Sequence, residues 1–322
     1  IVGANEETGM ADVAHYRRNN DDPLFLFTPD AEFPVSYGEK GVFQAQLKSA
    51  PLGAANIIAI EGGMAVNAVP GQAMARVRTD DGSLPSTDQV KVTGEESGIA
   101  RLEATGRAAH ASDPSQGSNA IAHLVAYLLD HDLPSADERA FLELDQQLLD
   151  CTDGSGLGIA ASDDDFGALT AVGSTIKLHD GCLVQGIDVR FPTTTTAASL
   201  KLALAARLSP IGGSVETLHT MAPYLVESDT APIQALLSAY DAATGSHAEP
   251  FTMAGATYAR QFSAAAGIGP EMPAAERPDW AGTMHGPDEA VSADQLKTAF
   301  KAYVLGLYGL EQLTPEQLGA NG

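Results

Sequence analysis

The sequence predicts a mixed α/β protein: a partial α/β domain with a mostly parallel sheet, interrupted by an inserted α+β domain with an antiparallel sheet. Three observations carry this. The opening of the chain reads as strand, helix, strand, with acids where each strand ends. That is the arrangement in which open sheets gather sites at the carboxyl ends of their strands. The middle of the chain places apolar residues at every second position, the mark of half-buried antiparallel strands. The final stretch returns to helical spacing, with a capping signature ahead of its last apolar run.

Composition sets the bounds. The 322 residues, 44% of them apolar, leave room for two domains with sizeable cores. Against 18 basic residues stand 42 acidic ones, a net charge of −24. Such a surface repels nucleic acid and anionic membranes, so neither is expected as a partner. Cys151 and Cys182 are too few for a disulfide framework and match no zinc spacing. No run approaches the roughly 18 apolar residues of a membrane span. A reducing, cytoplasmic setting is the expectation. Asp163-Asp164-Asp165 reads as a solvated loop rather than a metal site.

Taken in order, Ile1-Val2-Gly3 reads as the end of a buried strand, with the acidic pair Glu6-Glu7 directly beyond it. The chain opens without a methionine, so whatever precedes that strand is expected to be absent. Gly9 leads into a helix with Met10, Val13 and Ala14 at helical spacing. The apolar run from Pro23 to Pro29 predicts a second buried parallel strand, with Asp30 at its carboxyl end. After Gly38-Glu39-Lys40-Gly41 the texture changes. Phe43, Ala45 and Leu47 alternate, then Ala73, Ala75 and Val77, then Ala100, Leu102 and Ala104, and later Leu183, Ile187, Val189 and Phe191. Two helices accompany these strands, one carrying Ile121, Leu124, Val125 and Leu128, the other Leu200, Leu204 and Leu208. The predicted inserted domain is 42–222, and 1–41 with 223–322 form the discontinuous first domain. In the latter, Glu227-Ser228-Asp229 offer caps for a helix bearing Ile233, Leu236, Leu237 and Tyr240. Ser292 and Gln295 form a capping box ahead of Leu296, Phe300, Tyr303 and Leu307.

Several residues have the right chemistry for a site, and each also has an ordinary structural reading. Glu6 and Glu7 are sequence neighbours, so their side chains leave the backbone in different directions. One can hold a metal while the other takes a proton from water; equally, acids are favoured at a helix start. Asp30 follows a proline, where turn-forming aspartates are common. His285 lies in a loop before a capped helix. Two carboxylates and a histidine make a partial ligand set for zinc or manganese. His110 sits among small residues ahead of a helix, placed either to reach a cleft or to cap its loop. Arg190 faces away from Ile187 and Val189, as a carboxylate clamp or as an ordinary polar-face residue. Asn67 and the stretch from Gly255 to Arg260 are open in the same way.

The order of these signals is more telling than any one of them. Gly-x-Asn-Glu-Glu-x-Gly, Pro-Asp-Ala-Glu-Phe-Pro, Gly-Glu-Lys-Gly, Ala-Ala-His-Ala-Ser-x-Pro, Asp-Val-Arg-Phe-Pro, Gly-x-Thr-Tyr-Ala-Arg and His-Gly-Pro-Asp-Glu follow one another along nearly the whole chain. This succession resembles the M20 metallopeptidases, and within them the bacterial PepV-like dipeptidases. The resemblance implies a catalytic domain with two divalent metal ions, zinc or manganese, and an inserted lid domain. It implies that Glu6 is the general base, that Glu7, Asp30 and His285 are metal ligands, and that His110 stabilises the oxyanion. It further implies that Asn67, Arg190, Gly255, Thr257 and Arg260 hold a short peptide. The reaction implied is metal-assisted amide hydrolysis of dipeptides, in a protein expected to be a monomer, with a dimer as the alternative.

Two departures from the pattern qualify that expectation. The resemblance puts the family's upstream histidine and bridging aspartate before Ile1, so this polypeptide is expected to hold metal weakly or not at all and to be inactive. Ala256 adds a methyl where the pattern has glycine, which would crowd a backbone meant to approach a ligand. Competing readings are an N-acyl amino acid deacylase or carboxypeptidase of the same family, and a non-catalytic lid or dimerisation module.

Overall fold

The computed structural model describes residues 2–6, 9–79, 84–96, 98–272, 278, 280–281 and 288–319. Its principal elements begin with α1 (Ala11–Asn19), β1 (Leu26–Thr28), β2 (Ser36–Glu39), β3 (Gly41–Lys48), β4 (Ile57–Gly62), β5 (Gln72–Arg78), β6 (Val90–Glu96) and β7 (Ile99–Thr105). Then come α2 (Ala120–Asp130), α3 (Ala136–Asp150), β8 (Thr170–His179), β9 (Cys182–Phe191), α4 (Ala197–Leu208) and β10 (Ser214–Met221). The chain closes with β11 (Tyr224–Leu225), α5 (Ala231–Thr244), β12 (Phe251–Met253), β13 (Ala265–Gly267) and α6 (Ala293–Glu311). These group into two compact units, Ile1–Glu39 with Tyr224–Gly322, and Lys40–Pro223. Among the described residues no helix is long and apolar enough to cross a membrane.

The first unit is built on a five-stranded sheet in the order β1-β13-β2-β11, with β12 also on β2. Its pairings are mixed. β1 runs parallel to β13, placing Leu26 opposite Ala265 and Thr28 opposite Gly267. β12 is parallel to β2, whereas β11 and β13 meet β2 antiparallel. The strand expected at Val2 is not found: Val2 is 99% exposed and belongs to no strand. A strand persists only where a neighbour satisfies its backbone, and no described strand pairs with residues 2–5. The helix after Gly9 forms as predicted, burying Met10 and Val13.

Helices α5 and α6 cover this sheet, packing Ile233, Leu236, Ala299 and Ala302 against Phe33, Val35, Ala266 and Ile268. α6 opens with the predicted Ser292–Gln295 capping box. α5 does not use the predicted caps; Thr230 precedes its first residue without a capping side-chain bond, and Pro232 sits in the first turn. A second, small core joins Val13 of α1 to Ala259, Phe262 and Ala265, and it is this core that positions the site below.

The second unit is an eight-stranded sheet in the order β10-β3-β9-β8-β4-β5-β7-β6. Every neighbouring pair is antiparallel. The alternating residues read from the sequence form one face of it. Phe43, Leu47, Val77, Leu102, Ile187 and Phe191 pack under α2 and α4 on residues such as Leu124, Leu128, Leu200 and Leu204. A third helix, α3, shares that face through Phe141, Leu142 and Leu148. The sequence reading did not contain it, because acids dilute its apolar stripe. Its start was nonetheless written in Ser135-x-x-Glu138, a capping box. Glu138 is fully buried and also accepts from the backbone N–H groups of Asn56 and Ile57, at 3.1 and 2.8 Å.

Candidate active site

Glu6 lies between Asn5 and α1. Asn5 closes this turn from both chain levels: its carbonyl accepts from the N–H of Met10 at 2.8 Å, and its Oδ1 accepts from the N–H of Ala11 at 2.8 Å. Gly9 and Met10 both take positive φ, 116° and 57°. A left-handed methionine is uncommon and is held here by its surroundings: its side chain is buried, and its sulfur accepts from Gln261 Nε2 at 3.4 Å. Glu6 is half-buried within this turn. Glu7 lies outside the described residues.

Glu39, from the Gly38-to-Gly41 stretch singled out from the sequence, meets the Thr257-to-Arg260 stretch in the first unit. Glu39, 1% exposed at the end of β2, accepts from the Thr257 N–H at 3.1 and 3.2 Å and from its hydroxyl at 2.5 Å. The Arg260 guanidinium approaches the same carboxylate at 3.4 Å. Burial raises the Glu39 carboxyl above the usual carboxylate range, while Arg260 and the Thr257 hydrogen bonds work against that rise. Thr257 Oγ1 in turn accepts from the Ala259 N–H at 3.1 Å, capping the short 3-10 turn Tyr258–Gln261. Thr257 and Arg260 are thus both buried against Glu39. Gly255 lies one residue beyond Ala254, and a side chain added there would meet Met253 at 2.6 Å.

The turn's remaining member reaches toward the acids. Tyr258 donates its hydroxyl to Asp12 Oδ2 at 2.7 Å, and the same oxygen accepts from the N–H groups of Ala4 at 2.7 Å and Asn5 at 3.0 Å. The Tyr258 hydrogen bond heads the causes that hold the Asp12 carboxyl below its ordinary range. Burial first, and then the Asp12 contact, push the Tyr258 phenol up. Neither Asp12 nor Glu39 was among the sequence candidates. Glu39 stood in a stretch already singled out; Asp12, on the first turn of a helix, carried no signal at all.

Asp30 is exposed, two residues beyond β1. Its charge, after burial, contributes to raising the Tyr303 phenol to about 12. His285 lies outside the described residues. Of the three predicted metal ligands, only Asp30 is described, and among the described residues no group of three or more histidine, cysteine, aspartate or glutamate side chains forms a metal site. The described donors alone do not fit a bound divalent ion.

In the second unit the remaining candidates lie on or beside strand segments that contact β8. His110 pairs with Ala68 in a two-residue ladder, and the Asn67 carbonyl accepts from the Ala111 N–H at 2.9 Å. Val69 and Ala111 pack this ladder on Val172 of β8. Arg190 of β9 stands opposite Thr170, whose hydroxyl donates to the Ala111 carbonyl at 3.5 Å. His110 Nδ1 accepts from the Ser112 N–H at 3.2 Å and lies 2.6 Å from the Ser112 hydroxyl. A backbone N–H can only donate, so this contact favours the tautomer with the ring proton on Nε2. Arg190 is 6% exposed and held by fully buried Asp188, Nε to Oδ1 at 2.6 Å and Nη2 to Oδ2 at 3.0 Å. Gln44 donates to Asp188 as well, at 2.7 Å. Asp163, in the expected acidic loop, accepts from Phe166 and Thr193 and so serves as a turn former.

Comparison with known proteins gives the class. The sequence profile of Peptidase family M20/M25/M40 matches residues 4–307, and the chain belongs to this family. Peptidases of this family are generally metal-dependent. Among individual proteins it is similar to the Putative dipeptidase YtjP of Bacillus subtilis (strain 168), 29% identical over 96% of this chain and 68% of that one. It is likewise similar to the Putative dipeptidase SSP1012 of Staphylococcus saprophyticus, 30% identical over 96% of this chain and 69% of that one. The dipeptidase Dug1p of Saccharomyces cerevisiae shares the fold, with a TM-score of 0.51 at 10% identity. That alignment covers 97% of this chain but only 65% of Dug1p.

Proposed function

We propose that this chain is part of a metal-dependent dipeptidase of the PepV-like kind, with 42–222 as its lid domain. The observation that carries the reading is the convergence, in one unit, of the Glu6 turn with the Thr257–Arg260 turn. The dipeptidase relatives support it. In this reading Glu6 removes a proton from the attacking water and delivers it to the leaving amine. His110 donates Nε2–H to the developing oxyanion, the tautomer its Ser112 contacts favour. Arg190, aimed by Asp188, anchors the carboxylate of the peptide, a role the resemblance also gives to Asn67, Gly255 and Thr257. Arg260 acts with Thr257 through Glu39. Zinc or manganese is assigned to Glu7, Asp30 and His285, from the resemblance; no step is routed through it.

The test is hydrolysis by the full gene product, supplied with Mn²⁺ or Zn²⁺, of dipeptides, N-acyl amino acids and longer peptides. Dipeptides are expected to be cleaved fastest, and Glu6→Gln to lower kcat by about 10²–10⁴-fold, the usual worth of a general base. Faster turnover of N-acyl amino acids, or an unaffected Glu6→Gln enzyme, would overturn the assignment.

A further inference from the structure

We propose that Tyr258 and Asp12 are positioning residues for Glu6, an inference that rests on the general-base role assigned to Glu6 above. The Glu6 turn has two stems. Asn5 fixes the one entering α1. The other, residues 3–5, leads into Glu6 from the opposite end. Its fixed points are the N–H groups of Ala4 and Asn5, both bound to Asp12 Oδ2. That oxygen also takes the Tyr258 hydroxyl at 2.7 Å.

Tyr258 is itself immobilised. It opens the 3-10 turn capped by Thr257, which buried Glu39 grips from the end of β2. Ala259 and Phe262, on either side of that turn's end, are packed with Val13 of α1. A continuous path therefore runs from the sheet through Glu39, Thr257, Tyr258 and Asp12 to the peptide groups just before Glu6. Gly3 gives an independent sign of the same arrangement. A side chain there would run into the Tyr258 hydroxyl and come within 2.7 Å of its Cζ, so the backbone lies against the phenol only because residue 3 is glycine. Two stretches some 250 residues apart, Gly3-x-Asn5-Glu6 and Thr257-Tyr258, are thus present for one shared reason. A base displaced by about 1 Å loses on the order of 10²-fold in rate, so contacts that fix the peptide groups just before Glu6 bear directly on turnover.

Tyr258→Phe in the full gene product removes one oxygen and leaves the packing intact. We expect kcat on a dipeptide to fall about 10-fold or more, with KM and bound metal within twofold of wild type. Amide hydrogen exchange in a peptide spanning residues 3–11 is expected to quicken. Gly3→Ala, which pushes the same contact apart from the other side, is expected to reproduce both effects. Wild-type kcat in Tyr258→Phe, or unchanged exchange across 3–11, overturns the proposal. Should the wild-type protein cleave no dipeptide, the functional assignment fails by itself, and the exchange comparison still decides whether Tyr258 and Asp12 hold the turn.

Discussion

Burial raises both Glu39 and Asp145, but only Glu39 has partners that work against the rise. Glu39 receives Thr257 twice and faces Arg260. Replacing it by glutamine removes the charge that faces the Arg260 guanidinium, and Glu39→Gln is expected to lower stability in urea unfolding by about 1–3 kcal/mol. Asp145 of α3 is fully buried, and neither of its oxygens has a hydrogen-bond partner. Burial pushes its carboxyl up to about 8, against about 4 in an unfolded chain. Below about pH 4 both states keep the proton and nothing is lost. Between about pH 4 and 8 only the unfolded state releases it, so stability falls by about 1 kcal/mol per pH unit and levels off above that. Asp145→Asn is expected to abolish this slope and to gain on wild type as pH rises. Equal slopes by circular dichroism at pH about 5 and about 8 would count against it. Neither carboxylate's sign was readable beforehand, because sequence gives a residue's charge but not its surroundings.

At the scale of elements, period and capping were legible wherever one face of an element meets one core. The alternation through Phe43, Ala75, Leu102 and Ile187 gave four strands in their correct places because each lies under helices on one side only. The Ser292–Gln295 box marked the start of α6 for the same local reason. α3 escaped because five acids break its stripe, one of them Asp145, at a buried position. Its box predicts its own weight: Ser135→Ala should destabilise the second unit by about 1 kcal/mol, and Glu138→Ala by more, since Glu138 also holds Asn56 and Ile57. Thermal unfolding of both variants checks the order. The strand expected at Val2 failed for a complementary reason. Three apolar or small residues satisfy any strand pattern, and only a pairing neighbour makes one real.

For the molecule as a whole, charge and core size decide. With 42 acidic against 18 basic residues, the folded chain repels itself, and the described ion pairs are mostly exposed and of little weight. Raising NaCl from about 0.02 to about 0.2 M shortens the Debye length from roughly 20 to roughly 7 Å, so the melting temperature is expected to rise. A fall would mean that attractive pairs dominate. The second unit encloses one large continuous core, whereas the first divides its buried residues between smaller ones. Limited proteolysis is accordingly expected to spare a fragment close to Lys40–Pro223 longest.

The sequence by itself determined the family, the succession of strands and helices, and the identity of the residues with site chemistry, since these depend on spacing and residue type along the chain. Only the tertiary structure decided which of those residues touch. Glu39 gripping Thr257, Tyr258 reaching Asp12 and the ladder that sets His110 beside Asn67 are contacts between residues distant in sequence. Hydrogen bonds and close approaches act over about 3 Å, a range that the linear order of residues does not encode.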